Sequence, residues 1–187
     1  MSKNIAHNKF SVKNTKKYGK GVFTEQDISK GTVIHVLNGK IKTLKQIVES
    51  VLQGNEAMND PLQVGRKTYI DLDEFSRSIN HSCNPNCGLR KRSELFALRD
   101  ISKGEEITYD YSSTIAPTKW DMNCHCGSKN CRKIIHDIRS IPKDQLNFYI
   151  QSGAIQKYLK PLLNSITKKT YIIPKYEAAA LKKLGYK

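Results

Sequence analysis

Arg77-Ser78-Ile79-Asn80-His81-Ser82-Cys83-Asn84-Pro85-Asn86-Cys87 is the stretch on which the reading of this chain turns. So many short polar side chains, with one proline and two cysteines, do not build a plain strand. Taken alone, the segment is a polar turn with an Asn-Pro bend. It does not stand alone. Gly104-Glu105-Glu106-Ile107-Thr108-Tyr109-Asp110-Tyr111 follows it, and Cys124-His125-Cys126-Gly127-Ser128-Lys129-Asn130-Cys131 comes after that. Three of the last eight residues are thiols at spacings suited to a metal.

Around this stretch the pattern is of short strands. Phe10-Ser11-Val12, residues 32–37, 68–71, 95–98 and 107–111 read as β, and 76–88 as loop. Residues 43–53 predict a short helix. Thr43 caps it, Ile47, Val48, Val51 and Leu52 share a face, and Gly54 ends it. From Pro142 the period becomes helical: Leu146, Tyr149 and Ile150 share a face and Gly153 closes it, with further helices expected over 154–163 and 174–184. Residues 23–34 (FTEQDISKGTVI) are mirrored by 96–107 (FALRDISKGEEI). Each copy reads as strand, glycine turn, strand, which predicts a β-hairpin unit used twice in a mainly β fold.

At 187 residues the chain has room for one core with a small appendage. No stretch of about eighteen apolar residues occurs, and residues 1–23 are polar and lysine-rich, so neither a membrane span nor a secretory signal is expected. An intracellular protein follows from this. Five cysteines cannot all pair, which favours metal binding over disulfides. The net charge of +15 comes mainly from lysine. Such charge suits nucleic acid, chromatin or acidic partners, or else reflects lysines spread over the surface; their dispersal leaves both readings open. No nucleic-acid-binding motif stands out. A deaminase-type zinc site is excluded, since no histidine-x-glutamate precedes a C-x-x-C.

The three segments, in this order, resemble the SET-domain family of lysine methyltransferases with its cysteine-rich post-SET tail. Tyr18-Gly19-Lys20-Gly21-Val22-Phe23 resembles the family's glycine motif, and the likeness covers roughly residues 8–133. The resemblance implies a SET fold of several small sheets with short helices. The segments around Asn80 and Tyr111 would pass each other as a pseudoknot. It divides the chain into a SET domain (8–112), a zinc-binding tail (113–133) and a helical extension (134–187).

It also implies S-adenosylmethionine as methyl donor, with S-adenosylhomocysteine as product. Gly19, Lys20, Gly21 and Val22 would meet the donor's methionine part, Asn80 its amino and carboxylate groups, and His81 its adenine. Tyr111 matches the catalytic tyrosine and is counted with the donor's contacts. Tyr109 stands where the family carries tyrosine or phenylalanine, which implies mono- or dimethylation. Cys83, Cys124, Cys126 and Cys131 would hold one structural zinc, leaving Cys87 free; the alternative exchanges Cys87 for Cys83. His125 is not needed, and Trp120 lines the channel or packs in the core.

Several features depart from the family. Ser78 stands where a large aromatic is usual, which loosens local packing. There is no pre-SET cysteine cluster, and the insert over 43–66 is short. Histone tails are the first substrate expected, with ribosomal and other lysine-rich proteins open. That implies nuclear, chromatin-linked action in a eukaryote or a eukaryotic host, and cytoplasmic action otherwise. An inactive SET-fold binding module and a basic nucleic-acid-binding zinc protein are the competing readings, and the oligomeric state is left open.

Overall fold

Two antiparallel hairpin strands, β1 (Phe10–Thr15) and β2 (Gly19–Thr24), open the computed structural model, which describes residues 9–15, 19–55, 60–164, 179, 182 and 183. Tyr18, and most of the helix expected over 174–184, lie outside the described residues. Next come β3 (Val33–Val36), β4 (Gly39–Thr43), α1 (Leu44–Leu52), β5 (Pro61–Gln63), β6 (Thr68–Leu72) and α2 (Glu74–Arg77). They are followed by β7 (Asn80–His81), β8 (Cys87–Arg90), β9 (Glu94–Ala97) and β10 (Thr108–Tyr109), then β11 (Met122–Asn123), β12 (Ile134–Ile135) and α3 (Lys143–Gln151). The strands form four small sheets: β1-β2, β3-β9-β8-β10-β7, β4-β6-β5 and β11-β12. This is the mainly β arrangement with short helices that the sequence predicts.

The internal repeat is used in a way its sequence does not reveal. Its copies do not each close a hairpin; they pair with each other, antiparallel. Phe23 bridges Glu106, Ile28 bridges Ile101, and Val33 pairs with Phe96. Ile28 and Ile101 exchange both backbone hydrogen bonds, at 2.8 and 2.9 Å. Asp100 Oδ1 accepts from Lys30 N at 2.7 Å, and Asp27 Oδ1 accepts from Lys103 N at 2.7 Å. The shared Asp-Ile-Ser-Lys-Gly thus serves both copies alike: the aspartate ties down the partner turn, the isoleucine enters the core, and Gly31 and Gly104 take φ of 84° and 86°.

Local chemistry explains the helices. Thr43 caps α1 in a full capping box with Gln46, and Leu44, Ile47 and Val48 are buried. Leu52, the last residue of the helix, is instead 59% exposed. The expected loop from Ser76 begins inside α2, whose one turn is held by Asp73 accepting from Ser76 N at 2.8 Å. Four residues are too few to leave a helical period. In α3, Leu146 and Tyr149 are buried but Ile150 is 43% exposed.

The helix expected over 154–163 is not formed: turns occupy it, with a short 3-10 turn at Lys160–Leu162. Pro161 lacks the N–H a longer helix needs. Its apolar residues are buried all the same. Ala154, Ile155, Leu159 and Leu162 pack with Ile138, Ile141, Leu146 and Tyr149 against Phe96 and Leu98, on the far side of the central sheet from the main core. Gly88 makes that approach possible, since a Cβ there would meet Ala154 Cβ at 2.6 Å.

Strand β10 is shorter than the five residues expected over 107–111. Asp110 accepts from Ser112 N at 3.1 Å and starts a 3-10 turn, Tyr111–Thr114, that ends the strand. The two stretches meant to cross do lie side by side: β7 and β10 pair in parallel, Asn80 against Thr108 and His81 against Tyr109, with β8 on the other flank of β10.

Candidate active site and metal centre

The parallel pairing of β7 with β10 brings Asn80, Tyr109 and Tyr111 to one cavity of about 310 Å³. Lys20, Asp60, Leu72, Glu74 and the run Ser76–Ile79 complete its wall. The Tyr109 and Tyr111 rings are tilted against each other with centroids 4.8 Å apart. Tyr111 Oη donates to Ile79 O at 2.9 Å, which fixes the phenol across the sheet. Tyr109 is buried, and burial followed by the neighbouring Tyr111 pushes its hydroxyl well above the usual phenol range. The hydroxyl is therefore neutral near pH 7.

Asn80 Nδ2 donates to Lys20 O at 3.0 Å and to Glu106 Oε1 at 2.7 Å. Glu106 therefore orients the asparagine, and it explains Gly21, where a Cβ would lie 2.5 Å from Glu106 Oε1. Gly19 adopts φ of 73°, and Lys20 Nζ crosses to Glu74 Oε1 at 2.6 Å. Val22 takes no side-chain part in the cavity; it lies in the main core, and its carbonyl accepts from Ile107 N at 2.7 Å. Ser78 is buried, lines the cavity and donates to Glu74 O at 2.8 Å.

The His81 ring faces away from the cavity. Its Nδ1 accepts from Tyr111 N at 3.2 Å, which assigns the ring proton to Nε2, 3.3 Å from Cys83 Sγ. Burial, reinforced by the charge of Arg132, pulls the imidazole down to about 3, so it is neutral near pH 7.

Behind that ring lies the metal centre. The sulfurs of Cys83, Cys124, Cys126 and Cys131 all lie within 4.8 Å of one another. Cys124 Sγ is 3.8 Å from both Cys83 Sγ and Cys131 Sγ. A tetrahedron of thiolates around zinc, with bonds of about 2.3 Å, has edges of about 3.8 Å, so the donor set fits a closed structural site. Cys87 is not part of it: it lies on β8, buried, facing Asn86 Oδ1 at 3.4 Å, and burial raises its thiol far above the usual range. Trp120 packs against Cys83, Cys124 and Ile135, and belongs to the knot's own core.

Sequence reading alone missed the second layer. Arg132 donates to Asp110 Oδ1 at 2.6 Å and to Cys83 Sγ at 3.4 Å. Asn86 clamps β10, donating to Glu106 O at 2.8 Å and accepting from Thr108 N at 3.0 Å. Gln145 and Tyr149 of α3 reach back to Cys83 O and Asp110 at 2.8 and 3.3 Å. Arg132 stands just beyond the last cysteine, and Glu106 lies inside the 104–111 segment without a role assigned from sequence. Tyr149 reads in the sequence only as a residue on the apolar face of its helix.

A short parallel strand pair that brings two tyrosines to one cavity, backed by a four-thiolate knot, is the geometry to be matched. The SET domain family model matches residues 19–112. The chain is 33% identical over 148 residues to histone-lysine N-methyltransferase ASHH3 of Arabidopsis thaliana, covering 72% of this chain and 40% of that protein. It is also 33% identical over 146 residues to the H3 lysine-36 specific histone-lysine N-methyltransferase of Candida albicans (71% of this chain, 17% of that one). The crystal structure of KRYPTONITE in complex with mCHG DNA and SAH superposes with a TM-score of 0.52 at 26% identity, over 67% of this chain and 28% of that chain. The chain belongs to the SET domain family. It spans less than half the length of each of these relatives.

Proposed function

We propose that this chain is an S-adenosylmethionine-dependent protein lysine N-methyltransferase acting on histone tails. Residues 8–112 form the methyl-transfer domain, 113–133 the zinc-binding tail and 134–187 an extension. The supporting observation is the shared cavity of Lys20, Asn80, Tyr109 and Tyr111 in a chain of this family. Its volume of about 310 Å³ suits a small molecule. Carboxylates (Asp60, Glu74) and cations (Lys20, Arg77) line it together, which suits the zwitterionic end of an amino-acid-like ligand. Gly19, Gly21 and the backbone of Val22 frame the approach, and His81 supports Tyr111 from behind.

S-adenosylmethionine supplies an electrophilic methyl group on a sulfonium. The protein must then hold a lysine amine in line and uncharged. A water-poor site lowers the amine's pKa below its reference of about 10.4. The Tyr111 phenol, anchored on Ile79 O, presents an oxygen to orient the amine; Tyr109, neutral and buried, occupies space that further methyl groups would need. Mono- or dimethyl-lysine is the product. Zinc in the four-cysteine knot clamps the tail.

The relatives are histone methyltransferases by name, and KRYPTONITE structures carry mCHH DNA, an H3(1-15) peptide and SAH. These support a histone-tail substrate, DNA contact through the basic surface and action on nuclear chromatin. The test is radiolabelled methyl transfer to nucleosomes and to peptide arrays of histone and ribosomal tails. Wild type labels a histone lysine, and Tyr111→Phe loses roughly a hundredfold in rate. Equal labelling by the two proteins, or trimethyl-lysine as the main product by mass spectrometry, would overturn the corresponding assignment.

A further inference from the structure

Arg132 follows the last cysteine of the tail, and only 9% of its side chain is exposed. Its contacts run in two directions. Toward the knot, its backbone N and its Nε both reach Cys83 Sγ at 3.4 Å. Toward the active site, Nη2 donates to Asp110 Oδ1 at 2.6 Å, and Nη1 reaches Ser112 Oγ at 3.2 Å and Ser140 Oγ at 3.3 Å. A second arm leaves the same sulfur: His81 Nε2 lies 3.3 Å from Cys83 Sγ, and His81 Nδ1 accepts from Tyr111 N at 3.2 Å. One cysteine is thereby joined to two consecutive residues of the Tyr109-Asp110-Tyr111 motif.

Four thiolates around a dication leave two net negative charges in a site that is largely buried, and N–H donors and a cation relieve them. Arg132 supplies both. Its guanidinium is planar and forked, so one group can face a sulfur on one edge and a carboxylate on another; a lysine ammonium cannot.

We infer that Arg132 is a positioning residue: with His81 it forms a two-armed link through which the loaded four-cysteine knot fixes the Asp110–Tyr111 turn, and with it the Tyr111 phenol. This inference rests on the proposed methyl transfer for its catalytic consequence. The link itself is read independently of that activity. The metal knot then does more than staple a tail. It presets the angle at which Tyr111 meets the cavity, through a residue that touches neither substrate nor methyl donor.

The experiment uses the full chain loaded with cobalt(II) in place of zinc. The sulfur-to-cobalt charge-transfer band reports what the thiolates feel. Arg132→Lys shifts this band, and so does Asp110→Asn at the far end of the link. In the zinc-loaded proteins each variant lowers kcat by roughly tenfold while KM for the methyl donor stays within about twofold. The double variant is no slower than the slower single one, because both changes break the same link. Ser140→Ala removes one acceptor of Arg132 and keeps the ion pair; it gives the same signs at smaller size and decides the matter where Arg132→Lys does not fold. Unmoved bands in Asp110→Asn and Ser140→Ala, or losses that multiply in the double variant, overturn the inference. Shifted bands in a protein that transfers no methyl group leave the link standing and remove the proposed activity instead.

Discussion

Gly21 and Glu106 meet behind Asn80, which lines the cavity, and each of the three explains the others. The Glu106 carboxylate accepts a hydrogen bond from the Asn80 amide, and that carboxylate occupies the space where a side chain at 21 would begin. Thr15 Cγ2 closes the other side, 2.7 Å from the position of a Cβ. Gly21→Ala therefore displaces Glu106 and frees the Asn80 amide; it is expected to cost about 1–3 kcal/mol in stability and to weaken methyl-donor binding. Thermal melting with and without the donor measures both, and an unchanged melting temperature with full donor binding would contradict the packing described. The residues with motif neighbours were legible one by one: Asn80, Tyr109, Tyr111 and the four cysteines. Glu106 and Arg132 were not, because a charged side chain states nothing about its partner until the chain has folded.

Among the elements, the β8–β9 hairpin carries an unusual turn. Lys91 and Arg92, in the three-residue loop 91–93, both adopt left-handed backbone, φ 47° and 78°, a conformation that Asn and Gly enter at less cost than long side chains. Arg92 O is held by Gln156 Nε2 at 2.8 Å, a bond made by the backbone and indifferent to the side chain at 92. Replacing the pair (Lys91→Asn with Arg92→Gly) is expected to stabilise the protein by about 1 kcal/mol, since the exposed Lys91–Glu94 contact contributes little. Urea unfolding checks this; destabilisation would mean that the basic side chains hold the turn. The repeat teaches the complementary lesson. Its sequence marked two strand-turn-strand units correctly, yet which strand each would pair with depended on the other copy, seventy-odd residues away.

For the molecule as a whole, three clusters share a wall. The main core lies on one side of the central sheet, the C-terminal segment packs on the other through Phe96 and Leu98, and the cysteine knot abuts Tyr111. Strand β12 starts the segment beyond residue 133 and pairs with β11, so the tail and the extension are stitched together. Trp120, the single tryptophan, is 5% exposed inside the knot and serves as its reporter. Chelation of the metal is expected to red-shift and weaken its fluorescence, with recovery on adding zinc. Emission indifferent to chelator in a protein shown to release zinc would separate Trp120 from the knot.

The sequence alone determined the residue types that carry chemistry, the strand-rich pattern, the capped helix after Thr43 and the set of thiols able to bind a metal, because each of these is written in local spacing. Only the tertiary structure decided that the repeats pair with each other, that the apolar residues Ala154, Ile155, Leu159 and Leu162 are buried without a continuous helix, and that Arg132 connects the knot to Asp110; it also set Cys87 apart from the four thiols, as the resemblance implied. These depend on contacts between segments distant along the chain, and burial and charge pairing act on what is near in space.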